Sequence, residues 1–338
     1  MKKINYITII GLFLTISVCA QSDFKKVAQS GMQYLKLGVD ASMVGKGEAG
    51  IASVKGIPSI FWNPAGMGYL DQPGFVVSHS RWIADISLNS FAAGFKLGNM
   101  GNLGLSLVWM DYGELKATAV AQEVSNTTDY GYVDLGTFSP IDLAFGITYA
   151  RRISESFSVG GNIRYLYENY GNNDIVNEDD EVENIDNVVN GFAVDFGTQY
   201  YPGFKSFVFS MTIQNFSPDM KFQQESFSAP LTFKMGASMD IMDLINEKSR
   251  SSLLVAIDAI HPRDYAERVN FGAEYDYLGL FQIRGGYRLN YDEGNYTTGA
   301  GFRYSLSNGM QIRFDLSYIV ITSGRFSSPL QLTCGFNF

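Results

Sequence analysis

The sequence predicts an all-β chain, a 14-stranded antiparallel transmembrane β-barrel. Three observations carry this. Segments of about ten residues alternate apolar and polar side chains with period two, and that length crosses a bilayer at a tilt. Their number is even. The connections between them alternate short and long, as periplasmic turns and outer loops do in such barrels.

Composition narrows the function classes. The 338 residues are 46% hydrophobic and 14% aromatic, which excludes a disordered chain. The formal net charge of −9 argues against a nucleic-acid partner, which calls for a basic patch. His79 and His261 are the whole histidine supply, too few for a His-rich zinc site or a His-based triad. Cys19 and Cys334 are the whole cysteine supply.

The elements then follow in chain order. Residues 1–20 read as a signal peptide: Lys2 and Lys3 form the charged start, 6–18 the apolar stretch, and Val18-Cys19-Ala20 the cleavage site. A lipoprotein reading, with Cys19 acylated, is disfavoured by Val18, where a small residue is expected. Cleavage leaves Cys334 alone, so no intramolecular disulfide or thiolate metal site can form. After Ala20 no run of 18 apolar residues predicts a transmembrane helix. The chain is thus expected to be exported and, if a barrel, to sit in the outer membrane among its lipids.

Residues 21–73 lack the strand pattern, although 29–37 could form a short helix. Strands are expected to start near 74, 87, 101, 142, 156, 190, 205, 230, 251, 268, 280, 295, 309 and 328. In 309–320, Met310, Ile312, Phe314, Leu316, Tyr318 and Val320 share one face, while Gln311, Arg313, Asp315 and Ser317 share the other. In 280–289, Phe281, Ile283, Tyr287 and Leu289 alternate with Gln282, Arg284 and Arg288. In 268–277, Val269, Phe271, Ala273, Tyr275 and Tyr277 alternate with Asn270, Glu274 and Asp276. A soluble sandwich alternates likewise, but uniform strand length and the Phe and Tyr crowding the apolar face favour lipid outside and a polar lumen.

Tight turns are expected at Asn99 and Met100, Ser154 and Glu155, Pro202 and Gly203, Leu278 and Gly279, and Ser307 and Asn308. The stretch 240–250 reads as a short helix. Longer connections are expected at 113–141, 170–189, 216–229, 261–267 and 321–327. This parity places both termini in the periplasm. The last strand, 330–338, ends on Phe338, a terminal aromatic like the assembly signal of outer-membrane barrels.

Motifs of residue types that carry chemistry elsewhere have plainer readings here. The acids Asp174, Glu178, Asp179, Asp180, Glu181, Glu183 and Asp186 suit calcium by type, but the spacing is not that of an EF-hand, and a solvated outer loop explains them. Lumen charges, among them Arg164, Asp195, Glu274, Arg284, Arg303, Arg313 and Asp315, form either a substrate path or a salt-bridged interior that holds the N-terminal segment; the latter is favoured because polar lumens are normal. His261-Pro262-Arg263-Asp264 reads as a turn. Asp40 and Glu48 could be a carboxylate pair, but nothing fixes their separation. Gly45-Lys46-Gly47 lacks the phosphate-loop spacing. No catalytic constellation emerges, and no enzyme or cofactor is implied.

One stretch carries a resemblance. Leu37-Gly38 leads through Ala41, Gly45, Gly47, Glu48 and Ala49 to Ile60-Phe61-Trp62-Asn63-Pro64-Ala65-Gly66-Met67. This resembles the PorV/PorQ family of outer-membrane proteins, relatives of FadL-type barrels. The match is close over 37–66, with similar patterns at Phe271–Tyr275, Ile283–Tyr287 and from Asn215 to Gly236. Ser42 stands where Arg is common and Lys46 where Met is common, so PorV-like, PorQ-like and paralogue readings stay open. The resemblance implies a FadL-like barrel, with 1–20 a signal peptide, 21–73 an N-terminal plug and 74–338 the barrel.

It also implies a non-enzymatic part in type IX protein secretion or surface attachment, with the translocon barrel or cargo bearing C-terminal sorting domains as partners. The plug motif is then Gly45, Gly47, Glu48, Ala49, Trp62, Asn63, Pro64, Ala65 and Gly66; the plainer reading is an asparagine-capped turn before a strand. Phe216, Met220, Phe222 and Phe227 are candidate docking residues on an outer loop, or caps of the barrel mouth. The alternative function is a FadL-like transporter of hydrophobic small molecules, with Gly197, Gly285–Gly286 and Gly299–Gly301 kinking strands to make an opening. A diffusion porin is argued against by the plug.

Overall fold

The computed structural model describes residues 30–120, 132–176, 182–246, 249–307 and 309–338. The signal-peptide segment and residues 178–181 of the acidic loop lie outside them. In chain order the strands are β1 Gly74–Arg81, β2 Ser87–Lys96, β3 Asn102–Asp111, β4 Leu115–Val120, β5 Tyr132–Phe138, β6 Ile141–Ser154, β7 Phe157–Val176, β8 Val182–Tyr200 and β9 Val208–Phe216. They continue with β10 Met220–Phe222, β11 Glu225–Phe227, β12 Thr232–Asp240, β13 Ser252–Pro262, β14 Arg268–Tyr277, β15 Phe281–Leu289, β16 Tyr296–Ser305, β17 Gln311–Val320 and β18 Leu330–Asn337. Fourteen of these close into one antiparallel barrel, and β1 pairs with β18 at the seam, from Gly74↔Asn337 to Arg81↔Leu330.

The expected starts agree within three residues, except that β8 begins at Val182 rather than near 190. The connection expected at 170–189 is largely strand, since β7 and β8 run for 20 and 19 residues and stay paired out to Val176↔Val182. Beyond the bilayer both faces of a hairpin meet water, so alternation fades and the sequence signal with it. The connections at 113–141 and 216–229 each contain a two-stranded hairpin, β4–β5 and β10–β11. Around 240–250 a single helical turn forms at Met242–Ile245.

The faces are inverted relative to a soluble sandwich. On β17, Asp315 is 3% exposed while its neighbour Phe314 is 48% exposed. Gln282, Arg284 and Arg288 on β15 are buried, and Phe281, Ile283, Tyr287 and Leu289 point outward. Exposed apolar side chains around a closed wall require lipid, and closure leaves no sheet edge unpaired in it. Aromatic pairs mark both ends of the outer face: Phe281–Phe302 at 5.4 Å near the tight turns and Tyr287–Tyr296 at 5.1 Å near the loops. Among the described residues no helix is long and apolar enough to cross a membrane.

Residues 30–73 pack against the inner face. A 3-10 turn forms at Gln33–Lys36, single helical turns at Ala41–Val44 and Ser59–Trp62, and a 3-10 helix at Pro64–Tyr69. Hydrogen bonds from this segment reach β3 at Asn102, β7 at Ser158, β8 at Gln199, β9 at Gln214, β13 at Asp258, β16 at Thr297 and β18 at Thr333. A chain touching every side of a closed wall runs inside it. The buried apolar clusters lie at this contact, for example Ile57, Ile60, Met67 and Leu70 against Val76, Ala92 and Ala150.

The segment runs from one mouth to the other. Ser30 and Gly31 bond Asp264 and Ser228 in the long-loop end, whereas Lys55 lies over the Tyr69 and Tyr201 rings at the tight-turn end. The C-terminal strand ends at the tight-turn mouth, and Ser30, the first described residue, sits at the opposite one.

Candidate functional site

The interface between the inner segment and the wall has two chemically different halves. On β14, β15 and β17 the contacts are charged. Asp40 takes a backbone conformation of φ 77° and ψ 108°, accepts from the Ser42 N–H at 3.0 Å, and pairs with Arg313 at 2.5 Å. Such a left-handed conformation costs a non-glycine residue on the order of 1–3 kcal/mol and persists where surrounding contacts demand it. Arg313 continues to Asp315 at 3.1 Å, Asp315 to Arg284 at 2.7 Å, and Arg284 to Glu274 at 2.5 Å. Lys46 of the inner segment approaches Glu274 at 3.6 Å. The chain of charges thus begins and ends on the inner segment and crosses three strands between. Glu48 pairs separately with Arg288 at 3.0 Å. Asp40 and Glu48 therefore do not form a carboxylate pair.

On the other half, mostly β3 and β7–β9, the contacts are neutral amides and hydroxyls reaching backbone carbonyls. Gln199 donates to Ile51 O at 3.1 Å and Val54 O at 2.9 Å. Gln214 donates to Phe61 O at 3.1 Å and Trp62 O at 3.0 Å, Asn102 to Met67 O at 2.6 Å, and Ser158 to Ala65 O at 2.8 Å. Irregular backbone carries polar groups that must find partners when buried, and these side chains supply them.

The motif residues fall at this interface. Asn63 is extended, φ −152°, as the proline after it requires. Its Oδ1 caps the 3-10 helix by accepting from Ala65 N–H at 3.1 Å, while its Nδ2 donates to Ile51 O at 3.0 Å and across to Thr198 O at 3.2 Å. Trp62 donates from Nε1 to Val39 O at 2.9 Å and carries the Lys234 ammonium 5.3 Å above its ring. Pro64 and Ala65 fill the space a side chain on Gly160 would take, and Gly66 is crowded by Val54 O and Ser59.

A Cβ on Gly45 would stand 3.0 Å from Gly299 Cα, and one on Gly47 would stand 3.0 Å from Gly286 Cα. Ala49 and Lys46 crowd Gly272 in the same way. The wall glycines admit the inner segment rather than open the wall: pairing is unbroken through Gly285↔Thr298, Gly286↔Thr297 and Arg284↔Gly299. The one irregularity near Gly197 is a register shift between Val194 and Phe196, where Asn215 (φ 63°) bonds Asp195 and Arg164.

The four loop candidates are not brought together as one patch. Phe216 is 62% exposed on the outer wall, while Met220, 4% exposed, packs against Gly191. Phe222 stacks edge-on with Tyr170 at 6.4 Å, and Phe227 crowds Gly31. The last three roof the mouth.

The expectation of a salt-bridged interior holding the N-terminal segment covered Glu274, Arg284, Arg313 and Asp315, but not their pairings, such as Asp40 with Arg313. Alternation flagged these residues as lumen-facing, but nothing in the chain order names a partner some 270 positions away. Sequence reasoning missed Asp264, which accepts from Ser30, Gln33 and Lys36, the last at 2.9 Å. Burial would raise this carboxyl, but those donors outweigh it and hold it below the usual carboxylate range.

Little room is left inside. The cavity between Leu35, Glu48, Trp62, Lys234, Arg268 and their neighbours measures about 60 Å³, and one of about 530 Å³ opens at the tight-turn end beside Lys55, Tyr69, Arg303 and Arg313. Among the described residues no cluster of three or more His, Cys, Asp or Glu is placed to hold a metal ion.

The family model described as "Type IX secretion system protein PorV" matches residues 20–260. No curated protein matches the chain. Among solved structures, the Pseudomonas putida toluene transporter TodX is similar at a TM-score of 0.61 and 11% identity, over 89% of this chain and 99% of that one. A Pseudomonas aeruginosa FadL homologue matches at 0.57 and 10% identity, covering 89% and 99%. The Ralstonia pickettii toluene transporter TbuX matches at 0.55 and 14% identity, covering 88% and 97%. At such identities these three share the fold.

Proposed function

The chain belongs to the PorV family of type IX secretion system proteins, an outer-membrane barrel associated with that system, and from this premise we propose that it is a plugged, non-enzymatic docking protein. Residues 1–20 export it, 21–73 form the plug, and the outer loops bind either the translocon barrel or cargo bearing C-terminal sorting domains.

The single observation that carries this reading is the bonding of the inner segment to every side of the wall, by ion pairs on one half and amide bonds on the other. A barrel of fourteen strands would otherwise hold a water-filled lumen. A lumen so filled leaves the outer loops as the surface on which the molecule can act. The β4–β5 and β10–β11 hairpins give those loops shape.

The test is deletion in a strain stripped of paralogues, followed by complementation. Sorting-domain proteins are expected to accumulate in the periplasm, and a chain with 218–227 replaced by a short Gly-Ser link is expected not to restore their secretion. Full secretion and attachment without the gene would end the proposal.

Hydrophobic transport is the second reading, supported by the shared fold with the toluene transporters. It requires a continuous apolar passage. The interior cavity, at about 60 Å³, holds roughly two waters and is walled by Glu48, Lys234 and Arg268. Toluene uptake by proteoliposomes carrying the protein would restore this reading.

A further inference from the structure

The outer mouth holds a cavity of about 220 Å³ beneath the β10–β11 hairpin. Tyr34, Tyr112, Asp142, Glu168, Tyr170 and Phe222 contribute to its lining. Asp142 and Glu168 are direct cross-strand partners on β6 and β7 and are only 1% and 3% exposed. Oδ2 of Asp142 accepts from the Tyr112 hydroxyl at 2.5 Å, but Oδ1, equally buried, has no hydrogen-bond partner. The Met32 backbone N–H and the Tyr170 hydroxyl approach Glu168.

The charge balance sets this cavity apart. Elsewhere in the lumen Asp40, Glu48, Asp195, Glu274 and Asp315 each meet a guanidinium within 3.1 Å, and Asp258 accepts from the Gly50 and Ile51 N–H groups. No lysine or arginine lines this cavity, and among the described residues neither Asp142 nor Glu168 has an ion pair. Arg164, which shares β7 with Glu168, gives its guanidinium to Asp195 and Asn215. Two adjoining carboxyls taken from water are neutralised either by protons or by a compensating cation.

We propose that this cavity binds an organic cation, an alkylammonium group on a short aliphatic stem. The carboxylates meet the charge. The tyrosines present rings to the stem and cation, because Tyr34 donates its hydroxyl to Leu143 O at 2.9 Å and Tyr112 donates to Asp142. A hard metal ion needs six or more oxygens, and Met32, Val189, Phe222 and Phe227 fill the rest of the lining with apolar groups. The volume equals roughly seven waters, enough for a stem of lysine length. The site stands whether or not the loops dock secretion partners.

The test is calorimetric titration of the full chain in nanodiscs with Nα-acetyl-lysine methylamide and with its neutral counterpart, Nα-acetyl-norleucine methylamide. The lysine compound is expected to bind at least tenfold more tightly, and Asp142→Asn to remove that preference. Folding of each variant is checked by heat-induced gel mobility shift. Should Asp142→Asn not fold, Glu168→Gln and Phe222→Ala decide, each expected to weaken lysine binding at least fivefold. Equal binding of the two compounds, no binding at millimolar concentration, or undiminished affinity in the folded variants would overturn the site. A lysine flanked by glycines and serines that binds tenfold more tightly than n-butylammonium assigns the cation to a polypeptide; equal affinity assigns it to a free amine.

Discussion

One half of the lumen holds the inner segment by charge and the other holds it by neutral amides, and the two respond differently to change. The charged half, from Asp40 through Arg313, Asp315 and Arg284 to Glu274 and Lys46, is a series in which each member neutralises the next. Removing a middle member leaves buried charge behind. The neutral half consists of separate bonds from Asn102, Ser158, Gln199 and Gln214 to different carbonyls. Removing one leaves the rest in place. The difference teaches that sensitivity should concentrate on one side of the barrel although contacts surround it.

The largest expected effect follows from Arg284→Met, which leaves three buried carboxylates facing only Arg313 and Lys46. It should cost about 3–5 kcal/mol, read from urea unfolding by gel mobility shift. Adding Asp315→Asn, which leaves the pairs Asp40–Arg313 and Lys46–Glu274, should recover most of that loss. A single variant as stable as the parent would break the comparison. Next comes Gly286→Ala, whose Cβ would overlap the Gly47 backbone. Overpacking of this kind costs about 1–3 kcal/mol, and displacement of the inner segment should appear as ion conductance in planar bilayers where the parent gives none.

On the neutral half, Asn63→Ala removes a cap and two bridging donations, and a loss of about 1–2 kcal/mol in the same urea assay would fit separable bonds. A loss as large as that of Arg284→Met would erase the contrast between halves.

The smallest effect concerns Asp264, which lies outside the membrane span. Its folded pKa is depressed, so its contribution is present above the unfolded value of about 3.9 and is lost as pH falls through the lower folded one. Hydrogen exchange at 30–37 should be faster in Asp264→Asn than in the parent at pH 7. The two should become alike once the pH falls below the folded value.

Much of the wall was legible because a bilayer imposes one length and one period on every strand. Arg284, Arg313 and Asp315 were readable as lumen-facing for that reason. The hairpins β4–β5 and β10–β11 and the outer reach of β7 and β8 were not, since outside lipid nothing enforces alternation; Asn172↔Asp186 pairs polar with polar. Asn63 was readable as a capping residue because its partners Pro64 and Ala65 are adjacent in sequence. Its bond to Thr198 was not, nor was the seat that Gly286 offers Gly47. Such matches depend on which strand the closed wall sets opposite, information carried by the complete barrel rather than by a local stretch.

The seam has a consequence for assembly. β1 and β18 join the two ends of the barrel chain, the pairing with the longest sequence separation and the greatest loop-closure cost. The inner segment lies across this junction: Ala41 N–H bonds Thr333 on β18 at 2.8 Å, while Ile57 and Leu70 pack on Val76 of β1. The Phe338 N–H reaches Pro73 O at 2.9 Å at its foot. The filament that runs through the lumen therefore clasps the two staves at the seam. The cylinder is shut from within, and a nascent chain whose interior is unseated would lack part of its final fastening.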